Sequence, residues 1–153
     1  MERYSGHNEC VVGTDKAILN LFRTLASPTS RARLYELIVA SNATPADLST
    51  DFVVQRTTAV GTEDAGFTPL PLDTDSSATC QSDFGCGAFS VEPTKTANSE
   101  LLRFALNQRA TFRWVAAPGG ELIIPATQNN GACLNSESSG GTANHLCTMF
   151  FQE

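Results

Sequence analysis

Hydrophobic and polar positions alternate along most of this chain. The pattern is clearest at Ala110–Ala117 (ATFRWVAA), where Phe112, Trp114 and Ala116 fall on one side and Thr111, Arg113 and Val115 on the other. Successive side chains of a strand point to opposite faces, so this period predicts a half-buried strand with Phe112 and Trp114 in the core. Pro118-Gly119-Gly120 follows at once. Pro fixes φ and Gly accepts a positive φ, so the chain is expected to reverse tightly and return through Glu121–Pro125 as the second arm of a hairpin.

Other stretches read the same way. Arg33–Ser41 predicts a strand with Tyr35, Leu37 and Val39 on one face and Leu34, Glu36 and Ile38 on the other. Phe52–Val60, rich in Val and Thr, is the next strand. Asp15–Leu25 fits two periods: Ile18, Leu19, Phe22 and Leu25 form a helical stripe, whereas Leu19, Leu21, Arg23 and Leu25 alternate. The strand reading is adopted. Phe67–Asp73 carries Pro69 and Pro71, so it is extended but fit only for a sheet edge. Gly87–Pro93, Leu101–Asn107, Ala132–Ser136 and His145–Gln152 complete the set, with TKTANS (94–99) and SSGGT (138–142) as turns. Residues 1–13 show no apolar period and read as a flexible N-terminal arm, leaving 14–153 as one domain.

Leaving aside the edge segment Phe67–Asp73 and the weakly patterned Ala132–Ser136, about eight strands at spacings of roughly 10–15 residues predict an all-β, antiparallel β-sandwich or barrel. The last strand departs from simple alternation. Leu146 and Phe150 face one way, and Cys147, Met149 and Phe151 the other. Apolar residues on both faces mark either a central buried strand or a subunit interface. Leu146, Met149, Phe150 and Phe151 are therefore the candidate interface residues.

Composition narrows the function more than the fold. Of 153 residues only 17% are charged, against a usual share of about 25%, and Thr, Ser, Asn and Gly fill the deficit. The net charge of −6 argues against a nucleic-acid partner, which calls for basic stripes. No apolar run approaches the roughly 18 residues of a membrane helix, and MERYSGHNEC lacks the basic start and apolar segment of a signal peptide. Neither membrane nor export signal is expected.

Five cysteines leave several options. Cys80 with Cys86 and Cys133 with Cys147 are candidate disulfides, with Cys10 left over; five free, mostly buried thiols are an equal option. Neither pair is CxxC, and His7 and His145 lie outside zinc-motif spacing, so a metal site has little support. His7 falls in the arm. His145 is expected at the surface, and no G-x-S-x-G elbow accompanies the nearby serines. Asp73 and Asp75 begin like a calcium loop, but Ala78 and Phe84 stand where an EF-hand needs Gly and Glu. Asp47 is expected to bond its own turn. Arg56, Arg103, Arg109 and Arg113 are expected to pair across strands with Glu36, Glu121 or aspartates rather than form a cationic patch. No catalytic, cofactor or metal site is predicted, and the chain is not expected to be an enzyme.

Four segments carry a resemblance: ATPAD (43–47), QRTTAVGT (55–62), TPLPLD (68–73) and RATFRWVAAPGGELIIPA (109–126), with a closing phenylalanine-rich strand ending at Glu153. Together they resemble a family of small virion structural proteins of tailed bacteriophages, including cyanophages. The resemblance covers roughly the last four-fifths of the chain. It implies a jelly-roll sandwich acting as a capsid decoration (cement) protein on the outer surface of the virion, made in the host cytoplasm. The implied partners are the major capsid protein and further copies of the chain as a homotrimer. The segment TCQSDFGCG (79–87) and the arm depart from the family pattern; disulfide stapling of an extracellular particle would account for the former. The alternative function is a tail- or vertex-associated, carbohydrate-binding host-adhesion protein.

Overall fold

A computed structural model describes residues 1–63, 65–76, 78–86, 88–139 and 143–153. Gly87, which opens the predicted strand Gly87–Pro93, and part of the SSGGT loop lie outside the described residues. Among these residues there are twelve strands and no helix: β1 Arg3–Val12, β2 Lys16–Arg23, β3 Ala32–Asn42, β4 Ser49–Ala59, β5 Ala65–Phe67, β6 Leu70–Pro71, β7 Ser82–Cys86, β8 Thr94–Asn107, β9 Phe112–Val115, β10 Leu122–Ile124, β11 Gly131–Ser139 and β12 Ala143–Gln152. They form two six-stranded sheets. Sheet A has the order β10-β3-β12-β1-β6, with β9 also on β3; sheet B has the order β5-β7-β2-β11-β4-β8. Every pairing is antiparallel.

The connectivity is that of a jelly roll. With β5, β6 and β7 set aside and β9 and β10 counted as one strand, the sheets run β1-β12-β3-β9/10 and β2-β11-β4-β8. The chain then changes sheet at every connection except β4 to β8. That path is two Greek keys folded face to face. The three remaining strands come from the excursion between β4 and β8; β5 and β7 extend sheet B beyond β2, and β6 lies beside β1. Pro71 accordingly sits in an edge strand, paired with Tyr4.

The core lies between the sheets. Leu34, Leu37, Val39, Cys147, Met149 and Phe151 come from sheet A, and Leu19, Leu21, Phe52, Val54, Phe84 and Leu134 from sheet B, all at 1% exposure or less. Rings interlock across it: Phe84 meets Phe151 edge-on, and Tyr4 stacks on Phe151. The total accessible surface is 7313 Å², against about 7,500 Å² expected for a folded monomer of this mass. The core therefore closes without help from a second chain.

Four sequence expectations change. The N-terminal arm is strand β1, paired with β12 from Arg3–Gln152 to Val12–Ala143. The hairpin does not form. β9 and β10 both pair antiparallel with β3, Val115 opposite Glu36 and Leu122 opposite Leu34, so they run in the same direction end to end. The predicted turn is real, with Gly120 N donating to Ala117 O at 2.7 Å and Gly119 at φ +80°. Pro at its second and Gly at its third position make it a type II turn. It folds a loop out of one edge strand instead of reversing the chain. Next, β3 does not alternate throughout. A bulge opposite Phe150 and Phe151 turns both Tyr35 and Glu36 outward and puts Leu34 with Leu37 in the core. Lastly, Gly87–Pro93 is not a strand; among its described residues only Val91 bridges, to Thr62.

β2 explains its own ambiguity. From Ala17 to Arg23 every residue is buried, because its outer face is covered as well. Phe89 packs over Ala17, and the Asn20 amide donates to Val60 O.

Candidate functional site

The candidate interface residues divide by strand geometry. β12 is a central strand, flanked by β3 and β1. Met149 and Phe151 are at 0% exposure in the core, while Leu146 and Phe150 point out from sheet A and are half-buried. Only the latter two can meet a partner. The register places Leu146 between Glu9 and Ala40, and Thr148 between His7 and Ile38. Leu146, Ala40 and Ile38, with Val11 exposed at 64%, make an apolar strip on the outer face, with Glu9, His7 and Thr148 set among them. Charged groups rim it. Arg113 Nε donates to Glu36 Oε1 at 2.7 Å, and the Asn42 and Asn144 amides both donate to Glu9 Oε1.

The outer face of sheet B is different in kind. Arg103 pairs with Asp51 and Glu100, Lys95 with Asp15, and Lys16 with Glu92. The expected cross-strand pairing holds for Arg103 and Arg113. Arg56 instead donates to Ile123 O at 2.7 Å, tying β4 to β10 across the open side of the sandwich, and Arg109 lies against Pro45 O. Asp47 accepts from the Asn107 amide at 2.7 Å, not from its own turn. Asp73 accepts from Asp75 N at 3.0 Å, which closes the Asx turn the calcium-like spacing had imitated. No group of three metal-binding side chains occurs among the described residues.

All five cysteines are free thiols. The Cys80–Cys86 pairing does not fit β7: Thr24 N donates to Gln81 O and continues the β2–β7 ladder, so Gln81–Cys86 spans about 16 Å at ~3.3 Å per residue, which one further Cα step of about 3.8 Å cannot bring within the roughly 7 Å a disulfide needs. Cys133 packs with Ala17 and Phe89 on the outer face of sheet B, whereas Cys147 faces the inter-sheet core. Sheet B therefore stands between them. Burial raises the thiol pKa of Cys10 to about 11 and of Cys80 and Cys86 to about 12, and raises those of Cys133 and Cys147 as well. Thiols held protonated in this way are poor nucleophiles at neutral pH.

Two buried polar clusters escaped the sequence reading. His145, expected at the surface, is at 0% exposure. Its Nδ1 lies 3.0 Å from Ser41 Oγ, its ring meets Phe52 edge-on, and burial lowers its pKa below 6.5. At the opposite end of the sandwich Arg23, also at 0%, pairs with the Glu153 carboxylate. Ser82 Oγ donates to the same carboxylate at 3.0 Å, and Arg23 Nη2 reaches Ser30 O and Gln81 Oε1. Neither cluster lines the cavities beside Arg31, Tyr35, Phe89 or Leu72. Their partners lie far apart in sequence, so no local motif announces them.

No protein-family model matches this chain, and no curated protein or solved structure matches it either.

Proposed function

We propose that the chain is a non-enzymatic structural protein of a tailed-bacteriophage virion, a decoration protein that binds and stabilises the shell of the major capsid protein from outside. The observation that carries this reading is the outer face of sheet A, where Val11, Ile38, Ala40 and Leu146 form an apolar strip that the closed core does not need. Apolar strips rimmed by polar groups are the usual form of protein docking surfaces. The segment resemblance supplies the setting, and the acidic net charge limits adhesion to nucleic acid. The partners are the major capsid protein and further copies of the chain as a homotrimer; no nucleic acid or membrane takes part.

Counting copies in particles of the encoding phage tests this directly. Hundreds of copies per particle, seen as repeated density over the shell, are expected; a dozen or fewer at one vertex would reject it. Leu146→Glu should abolish shell binding while leaving the unfolding midpoint nearly unchanged, because the side chain is only half-buried. Unaltered binding by that variant would move the contact to another surface.

A further inference from the structure

Two irregularities of sheet A meet at one place. The β3 bulge turns Tyr35 outward, and on the other side of the same strand the β9/β10 edge opens between Val115 and Leu122. Ala116 N donates to Tyr35 O at 2.8 Å, so the loop leaves the sheet beside Tyr35. The type II turn folds it back, and Glu121 Oε1 accepts from Gly119 N at 3.4 Å. Bulges commonly re-aim a side chain in this way.

Between the loop and the sheet lies a cavity of about 320 Å³, lined by Arg3, Tyr35, Ala116, Pro118, Glu121 and Gln152. Tyr35 supplies an aromatic surface, and Phe150 braces it at 6.4 Å between ring centres. Arg3 and Gln152 are directly opposed on β1 and β12, and both line the cavity. Arg3 belongs to no ion pair among the described residues. The polar inventory is mixed: guanidinium donors, carboxylate acceptors, and an amide and a phenol that do both. The charges of Arg3 and Glu121 offset each other, which disfavours a strongly charged ligand. An apolar C–H face and a ring of hydroxyls would satisfy every group present.

We propose that this cavity is a saccharide-binding site, taking one pyranose ring with its C–H face on Tyr35 and its hydroxyls on Arg3, Glu121 and Gln152. The volume lies near the ~300 Å³ lower end of ligand pockets, which suits one sugar unit, not an extended chain. The 530 Å³ depression lined by Arg31 and Arg56 is larger, but it has no aromatic surface and no carboxylate. Gln152 lies six strand residues, about 20 Å, from Leu146, so a shell contact centred on Val11 and Leu146 that spares Phe150 leaves the site open.

The purified full chain applied to a broad array of neutral glycans should bind at least one terminal pyranose. The bound sugar should then titrate saturably in solution and transfer saturation through its C–H protons. Tyr35→Ala should weaken that binding about tenfold or more, Glu121→Gln should weaken it less, and Tyr35→Phe should retain most of it. Each variant must keep the wild-type unfolding midpoint, which the half-exposed positions favour. A silent array overturns the proposal, as does binding that Tyr35→Ala leaves unchanged. Both readouts use isolated protein, so they stand or fall separately from the count of copies on a particle.

Discussion

The two ends of the sandwich handle buried polar groups in opposite ways. At the Arg23 end, one guanidinium gathers Glu153, Ser82, Ser30 and Gln81, drawn from the chain after β12, from β7, from the loop before β3 and from the segment before β7. Only its Nε lacks a partner among the described residues. At the His145 end, Thr50 Oγ1, Ser136 Oγ, Gln108 Nε2 and His145 Nε2 are all buried without a protein partner among the described residues. A buried ion pair contributes little net stability when formed and costs a great deal when half-removed. An unpartnered buried hydroxyl is a cost already carried by the fold. The first end is thus a clamp, and the second is a reservoir of unspent stability.

The largest expected effect follows from breaking the clamp. Arg23→Met should cost about 3–5 kcal/mol, because it leaves Glu153 charged and buried. Urea unfolding measures this, and the double variant Arg23→Met with Glu153→Leu should lose clearly less than the two single losses summed. A smaller effect should come from acid. Burial holds the folded-state pKa of His145 below 6.5, so the unfolded chain takes up the proton first. His145 then contributes its full share above pH 6.5 and loses it as pH falls toward the folded value. Thermal melts from pH 7.5 downward should show that decline, and His145→Gln should flatten it. The smallest effect should be opposite in sign. Thr50→Val removes an unpartnered hydroxyl at nearly constant shape and should change stability by about 0 to 1 kcal/mol in the favourable direction. A loss of more than about 1 kcal/mol would mean that Thr50 has a partner after all.

Which features were legible in the sequence follows from what each strand buries. β3, β4 and β12 announce themselves because their inward residues are large and apolar. β1 does not, for its inward residues are Tyr4, Gly6, Asn8 and Cys10. Gly6 is required there because a Cβ would lie 2.2 Å from the Phe84 ring, and Asn8 spends its amide on Ile18 O at 2.7 Å. A strand that makes room for a neighbour's ring looks polar and loose in isolation. The Pro118-Gly119-Gly120 turn was read correctly as local chemistry. Its outcome depended on β3, more than seventy residues earlier, which nothing in the loop records. A regular strand would keep Tyr35 on the inward face with Leu37 and Val39; one bulge turns it outward and opens the cavity. Glu153 closes on Arg23 across 130 positions, a distance over which periodicity carries no information.

The position of β12 also sets the order of events in folding. It is the spine of sheet A, hydrogen-bonded to β1 on one side and β3 on the other, yet it is the last of the twelve strands in the chain. During synthesis β1 and β3 emerge early and must wait, their inner edges unpaired, until residue 152 has cleared the ribosome. Such late, non-local pairing predicts slow folding and an interval in which open edges invite association between nascent chains. The polar, glycine-bearing sequence of β1, which disguises it as an arm, lowers that tendency for its own edge, while the apolar β3 has no such protection.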